Sequence, residues 1–209
     1  MGRYTGPACK RCRREGMKLF LKGARCTMAK CPIEVGRPAP GMHNQRRPRK
    51  MSDYGTQLRV KQRLRRQYGL REKQFRLFFA RAAARKGVTG ELLLQMLESR
   101  LDNIVYRLGL APSRRAARQM VSHNHVLVNG RKANVPSIIL SAGAVVTVRD
   151  RERSREEARR NLELAQSREV PSWMAMDTSA FQGEYTRIPT RDEIAPIVDE
   201  QLVVELYSK

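Results

Sequence analysis

Aromatic side chains are scarce. Phe, Tyr and Trp make up 6% of the 209 residues, with one tryptophan. A platform that reads single strands by stacking successive bases needs more of them. Acidic side chains are also few, 20 against 42 Lys and Arg, for a formal net charge of +22. A compact chain this positive repels itself and calls for a polyanionic partner. No apolar run approaches the roughly 18 residues of a membrane span. Lys10, Arg11, Arg13 and Arg14 are not followed by an apolar stretch of the kind a secretory leader carries, so a soluble cytoplasmic protein with no membrane partner is expected. No Gly-rich phosphate loop or metalloprotease helix appears.

What is present is sufficient for a folded core, since 41% of residues are hydrophobic. The charge is uneven. Residues 1–90 hold 25 Lys and Arg against 4 acids, residues 91–150 hold 8 against 4, and residues 151–209 hold 9 against 12. The surplus therefore sits in the N-terminal half, as expected of a surface laid against phosphates, where released counterions make affinity steeply salt-dependent. The run Arg46, Arg47, Arg49, Lys50 reads as part of that surface rather than as a nuclear-targeting signal.

Cysteine is confined to Cys9, Cys12, Cys26 and Cys31, a C-x2-C pair and a C-x4-C pair separated by thirteen residues. Two close pairs suit tetrahedral thiolate coordination. Two disulfides or four free thiols are the alternatives; a reducing cytosol disfavours the first. One structural Zn2+ is expected, with an iron–sulfur cluster as the second choice for the same ligands. A segment this small and polar would take its folding energy from the metal.

Residues 32–55 are rich in Pro and Gly and read as an extended arm, with a turn at Pro40-Gly41. His43 beside it suits surface hydrogen bonding better than metal ligation. A helix is expected from Ser52 or Asp53 to Gly69, a second from Arg71 to Gly87, and a third from Gly90 to Leu108 with a leucine-rich buried stripe. Ser113 then caps a helix on which Arg114, Arg115 and Arg118 form an exposed face suited to phosphate. Asn129-Gly130 is a two-residue hairpin turn between Val126-Leu127-Val128 and Lys132–Val135, and Ala144–Val148 is a further strand. Residues 151–166 read as a charged helix, and Trp173–Met176 and Leu202–Leu206 as short strands that serve packing.

Glu98-Ser99-Arg100-Leu101-Asp102-Asn103, Val105-Tyr106-Arg107, Ser113-Arg114-Arg115 to Gln119, His123-Asn124-His125 and Val128-Asn129-Gly130 occur in that order. Together they resemble the RNA-binding module of the bacterial-type small-subunit ribosomal protein S-four family. Met1-Gly2-Arg3-Tyr4, Pro40-Gly41-Met42-His43, Glu72-Lys73-Gln74-Phe75-Arg76 and the C-terminal Glu200-Gln201-Leu202 to Tyr207-Ser208 extend the resemblance along the whole chain. It implies an α+β protein: a mostly helical N-terminal domain with a four-cysteine metal knuckle and an extended basic arm, and an inserted module of two helices on a short antiparallel sheet. The expected divisions are a metal-binding arm over 1–45, a helical RNA-binding domain over 46–97, the module over 98–165, and a segment over 166–209 packing back on the helical domain.

The resemblance further implies binding to small-subunit ribosomal RNA at a multi-helix junction, early in assembly. It also implies contact with a neighbouring ribosomal protein, S-five in the same nomenclature, and, in some members, regulation of the protein's own messenger RNA. In the module the RNA contacts it implies are Ser113, Arg114, Arg115, Arg118, Gln119, His123, Asn129, Gly130 and Arg131. Elsewhere the resemblance and the charge distribution nominate Arg3, Tyr4, Lys10, Arg11, Arg13, Arg14, His43, Arg46, Arg47, Arg49, Lys50, Arg59, Lys61, Arg65 and Arg76. The family often has Gly where Asn124 stands, and a Pro-Gly-acid turn where Ala142-Gly143-Ala144 stands. The same module is attached to pseudouridine synthases, whose catalytic aspartate follows Arg-Leu, as Asp102 does here. Asp102 lies inside the module itself, however, and the 59 residues after position 150 are too few for a catalytic domain, so no enzyme is expected. A free-standing RNA regulator and a DNA-compacting protein are the remaining alternatives.

Overall fold

A computed structural model of the chain describes residues 2–41, 50–165, 168–194 and 198–208. Two compact units emerge, Met1–Leu93 with Ala195–Lys209, and Leu94–Ile194.

In the first unit, α1 (Ala8–Glu15) ends at left-handed Gly16, with two N–H groups returning to the carbonyls of Arg13 and Cys12. Ala8, Cys12, Leu19 and Leu21 form a small core that Met17 and Ile33 cover. Ser52 caps α2 (Asp53–Gln67) as expected, its Oγ accepting from the Gly55 N–H. α3 (Glu72–Ala83) buries Phe75, Phe78 and Ala82.

The C-terminal Leu202–Leu206 segment, expected as a strand, is instead part of a helix, here called α8 (Gln201–Tyr207). Its bonds explain the difference. Glu205 accepts from Gln57 Nε2 at 2.9 Å, the Tyr207 hydroxyl donates to Glu72 at 2.8 Å, and the Tyr207 ring lies 4.7 Å from that of Phe79. The backbone closes helical turns beneath these contacts, the N–H groups of Val204 and Ser208 donating to the carbonyls of Glu200 and Val204.

Burial would raise the Glu72 carboxyl, but bonds from Lys61 and Tyr207 and the charges of Lys61 and Arg65 outweigh it and hold Glu72 below the ordinary range. A depressed carboxylate contributes stability that is full above its unfolded value, about 4.3, and fades as pH falls through the folded one. Glu72→Gln should therefore lose stability near neutral pH and show a shallower further loss on acidification than the parent, in urea melts at pH 7 and pH 3.5.

In the second unit, the helix expected over Gly90–Leu108 is broken. α4 (Thr89–Glu98), which begins in the first unit, and α5 (Leu101–Arg107) are separated by Ser99-Arg100, and Arg100 is extended (φ −69, ψ 137). The backbone there pairs outside the helix. The Ser99 carbonyl accepts from Leu140, the N–H groups of Leu101 and Asp102 donate to Ile138 and Pro136, and Arg100 bridges Ile139. Because the leucine period runs on through the break, the sequence pattern conceals it.

α6 (Arg114–Ser122) follows, then β1 (Val126–Val128), β2 (Arg131–Lys132) and β3 (Ala144–Val148). The β2 return strand is shorter than expected. α7 (Glu152–Ala165) precedes β4 (Met174–Asp177) and β5 (Gln182–Tyr185), and the antiparallel sheet has the order β2-β1-β3-β5-β4.

Residues 166–209 were expected to pack as one segment on the helical domain, but this stretch divides. β5 pairs with β3, Val146 opposite Gly183, so β4 and β5 belong to the module's sheet, while α8 belongs to the first unit. Gly183 permits this joining, because a Cβ there would sit 2.4 Å from a Leu108 methyl. The core of the unit runs from Leu101 through Val121 and Val146 to Trp173 and Tyr185.

Candidate nucleic-acid interface

The polar residues of the Glu98–Asn103 motif face inward. Glu98, with no exposed surface, accepts a two-pronged pair from Arg107 (3.1 and 2.8 Å) and a bond from Asn103 Nδ2 at 2.6 Å. Asn103 Oδ1 in turn accepts from Arg114 Nε at 2.7 Å. Asp102 accepts two bonds from fully buried Arg100, at 3.0 and 2.7 Å, and lies 3.5 Å from an Arg118 nitrogen. The Ser99 hydroxyl spends its proton on the Gln95 carbonyl, so the Tyr185 hydroxyl donates to Ser99, at 2.8 Å. Asp102 is thus an ion-pair partner within the fold rather than an exposed acid.

This network corrects the expected arginine face. On α6 the residues facing inward are Ala117, Met120 and Val121. At 100° per residue the opposite side is centred on Arg115 and Gln119, and Gln119 is exposed. Arg114 and Arg118 lie on the flank against α5. The Arg118 side chain is 12% exposed, and Arg114 lies over the Tyr106 ring at 4.6 Å. Asn103 and Asp102 therefore pin Arg114 and Arg118 at successive positions along α5. Arg168, beyond α7, also lies over Tyr106, at 5.0 Å; no sequence pattern marked it.

The Ser113 hydroxyl is occupied as the cap, accepting from Ala116 N–H at 3.3 Å. Beyond α6, His123 is exposed, and Asn124 is left-handed (φ 61), the conformation expected of the family's glycine. Asn129 and Gly130 have φ 48 and 75, a hairpin turn of the expected type, with Asn129 Oδ1 accepting from Val145 N–H at 2.8 Å. Arg131 is exposed beside it.

In the first unit, Arg3, Tyr4, Lys10, Arg14, Lys50 and Arg76 are exposed. Arg11 stacks over the Tyr4 ring at 3.7 Å, and Arg13 donates to the Pro38 carbonyl at 3.0 Å. Lys61, expected on the RNA-facing surface, is buried and paired with Glu72 at 2.7 Å, because α8 packs over that side of α2. Arg65 bonds Gln62 and pairs with Glu72 at 3.4 Å. His43, Arg46, Arg47 and Arg49 lie outside the described residues.

Sequence reasoning missed Glu15. Its side chain has no exposed surface, pairs with Arg66, and lies 3.5 Å from an Arg59 nitrogen and 3.6 Å from an Arg63 nitrogen. The available signal was an isolated acid in a stretch of cations.

The four cysteines carry no disulfide, and all line one enclosed cavity of about 10 Å3 with Lys18, Lys22 and Arg25. Burial raises the Cys12 thiol above its ordinary range, and the other three cysteines add to the rise. Among the described residues, no group of three or more His, Cys, Asp or Glu side chains meets metal-ligand geometry. The donor chemistry still fits a soft cation: four cysteines line one cavity, Lys18, Lys22 and Arg25 line it with them, and the Lys22 N–H donates to Cys26 Sγ at 3.4 Å.

The family model described as Ribosomal protein S4/S9 N-terminal domain matches residues 3–98, and that of the S4 domain matches residues 99–146. The junction between them falls at the Ser99-Arg100 break. Small ribosomal subunit protein uS4 of Thermus thermophilus is 50% identical over 209 residues, covering all of both chains. Small ribosomal subunit protein uS4A of Symbiobacterium thermophilum is 53% identical over 210 residues, again all of both chains. The uS4 protein of Geobacter metallireducens is 52% identical over 209 residues, with the same complete coverage. With both domains matched and the likeness spanning every residue, the chain belongs to the uS4 family of small ribosomal subunit proteins.

Proposed function

We propose that this protein is a structural component of the small ribosomal subunit in the cytoplasm, binding its ribosomal RNA directly. In this reading it organises a multi-helix junction early in assembly, contacts the neighbouring S-five-type protein, and binds its own messenger RNA as a second role. The observation that carries the RNA reading is the pinned arginine flank of α6. Ordered guanidinium groups lose less side-chain freedom on meeting phosphate than free ones do. Arg115 and Gln119 supply the outward contacts, with His123 and the Asn129–Arg131 turn beside them in the chain, while the N-terminal cations engage a separate stretch of RNA.

Binding to small-subunit ribosomal RNA, with an unrelated folded RNA of equal length as competitor at physiological salt, tests this reading. A preference of about a thousandfold or more is expected, as for other site-specific nucleic-acid binders; equal competition would leave only non-specific charge. Arg115→Gln should flatten the dependence of log affinity on log salt by roughly 0.7–0.9, one phosphate contact. An unchanged slope would show that Arg115 meets no phosphate.

Cys9, Cys12, Cys26 and Cys31 hold one structural Zn2+ in this proposal, an iron–sulfur cluster being the alternative for the same thiolates. Four protein ligands leave no open position, so the ion would fasten α1 and the loop that follows it rather than activate a substrate.

A further inference from the structure

Three segments of the first unit enclose a cleft of about 450 Å3, lined by Tyr4, Lys10, Arg11, Arg14, Pro40, Arg65 and Arg66. Five of the seven are cations, and none of these lining residues is acidic. The cleft is built rather than incidental. Arg11 stacks on the Tyr4 ring, and Gly6 leaves room at the hydroxyl end, since a Cβ there would come within 2.6 Å of the tyrosine oxygen. Arg13 ties α1 to the arm through Pro38, which sets Pro40 as a wall. Beneath, buried Glu15 at the end of α1 holds Arg66 on α2.

Two carboxylates do not balance this group, because Glu15 also faces Arg59 and Arg63, and Glu72, paired with Arg65, also holds Lys61. Burial lowers the Arg66 guanidinium from its ordinary range against the pull of Glu15, and the neighbouring charges of Arg59, Arg65 and Arg14 lower it further. Cations held this close repel one another until an anion enters. A single phosphodiester carries one negative charge and would leave most of the repulsion in place. Several phosphates brought together would relieve it.

We propose that this cleft is a site for clustered phosphates, two or more at once, supplied by a sharply bent segment of RNA backbone. The inference rests on the ribosomal RNA reading above and adds which chemistry this part of the surface selects. A straight helical strand presents its phosphates along a line, whereas a bend draws them into one concavity. Tyr4, held at the rim, leaves its exposed edge for the adjoining sugar or base.

The test uses the full-length protein and two probes, inorganic tripolyphosphate and small-subunit ribosomal RNA. Lys10→Gln/Arg14→Gln removes two exposed cations of the cleft, and Arg85→Gln/Lys86→Gln removes the same charge from another exposed position. Tripolyphosphate should bind the parent roughly a hundredfold more tightly than orthophosphate, as linked groups do when their sites are matched. That margin should vanish in the cleft variant and persist in the control. With ribosomal RNA, the cleft variant's salt slope should fall by roughly 1.4–1.8, two phosphate contacts. Equal binding of tripolyphosphate and orthophosphate, an unchanged RNA slope, or the same loss in both variants overturns the inference. If tripolyphosphate binds as expected while the RNA slope is unchanged, the cleft serves a free polyphosphate and the RNA source is wrong. Loss of the parent's preference for ribosomal over unrelated RNA would instead sink the ribosomal reading, independently of how the cleft behaves.

Discussion

Asp102→Ala should destabilise the second unit by about 3–5 kcal/mol, the range for breaking a buried ion pair by removing one partner. Arg100 has no exposed surface, and the Asp102 carboxylate takes two of its guanidinium bonds. Deleting it strands a charge where water cannot reach and removes the α5 carboxylate that Arg118 of α6 faces. Trp173, the one tryptophan and a member of this core, reports the unfolding of the unit by fluorescence in urea.

A second variant separates the charge argument from simple damage. Arg100→Met/Asp102→Leu/Arg118→Met removes the whole charged group and should recover most of the lost stability, because apolar replacements of buried ion pairs are often neutral or stabilising. Its RNA affinity should stay reduced, since Arg118 is gone from the flank and only Arg114, held by Asn103, remains. A loss below about 1 kcal/mol in Asp102→Ala would place the pair among weak surface bridges and remove the pinning argument.

The same network shows how much was legible in the sequence. Residues whose role is local could be read directly. Ser52 and Ser113 cap helices, Asn129-Gly130 turns a hairpin, and Asn124 takes a left-handed backbone. Each depends only on its own few neighbours. Roles set by distant partners could not be read. The break at Ser99-Arg100 depends on backbone bonds to residues 136–140, while the leucine stripe continues unbroken. Lys61 looked like one more basic residue until α8, well over a hundred positions away, covered it. Leu202–Leu206 is ambiguous between strand and helix as a short apolar run, and contacts with α2 and α3 decide it.

For the interface, charge was readable and direction was not. Helical spacing placed Arg114 and Arg118 together correctly, but Asn103 and Asp102 decide that they face α5. Glu15 shows the converse. An acid among cations looks like a minor subtraction from net charge, yet it draws Arg59, Arg63 and Arg66, at positions i, i+4 and i+7 of α2, to one buried point.

Removing the metal proposed for the four cysteines should have the largest effect on the first unit, and it should reach the RNA surface through Glu15. The knuckle's own core is four buried residues, Ala8, Cys12, Leu19 and Leu21, and one of those is a ligand. Structural Zn2+ contributes about 10–16 kcal/mol of apparent binding energy in small cysteine-rich units, far more than two buried leucines supply at about 1.5–3 kcal/mol each. The purified protein should carry one metal ion per chain by elemental analysis. Chelation, or Cys12→Ser, should open residues 8–35 to protease while the Trp173 signal of the second unit stays native. α1 would then no longer hold Glu15 against α2, and Arg59, Arg63 and Arg66 would repel one another along one helix face. The salt slope for ribosomal RNA should fall by more than in Lys10→Gln/Arg14→Gln, because the whole cleft is lost. Restoring Zn2+ should restore both protection and slope. A metal-free protein whose residues 8–35 resist protease would show that the four thiols pack without an ion, and the knuckle would then be an apolar cluster that uses cysteine for its size.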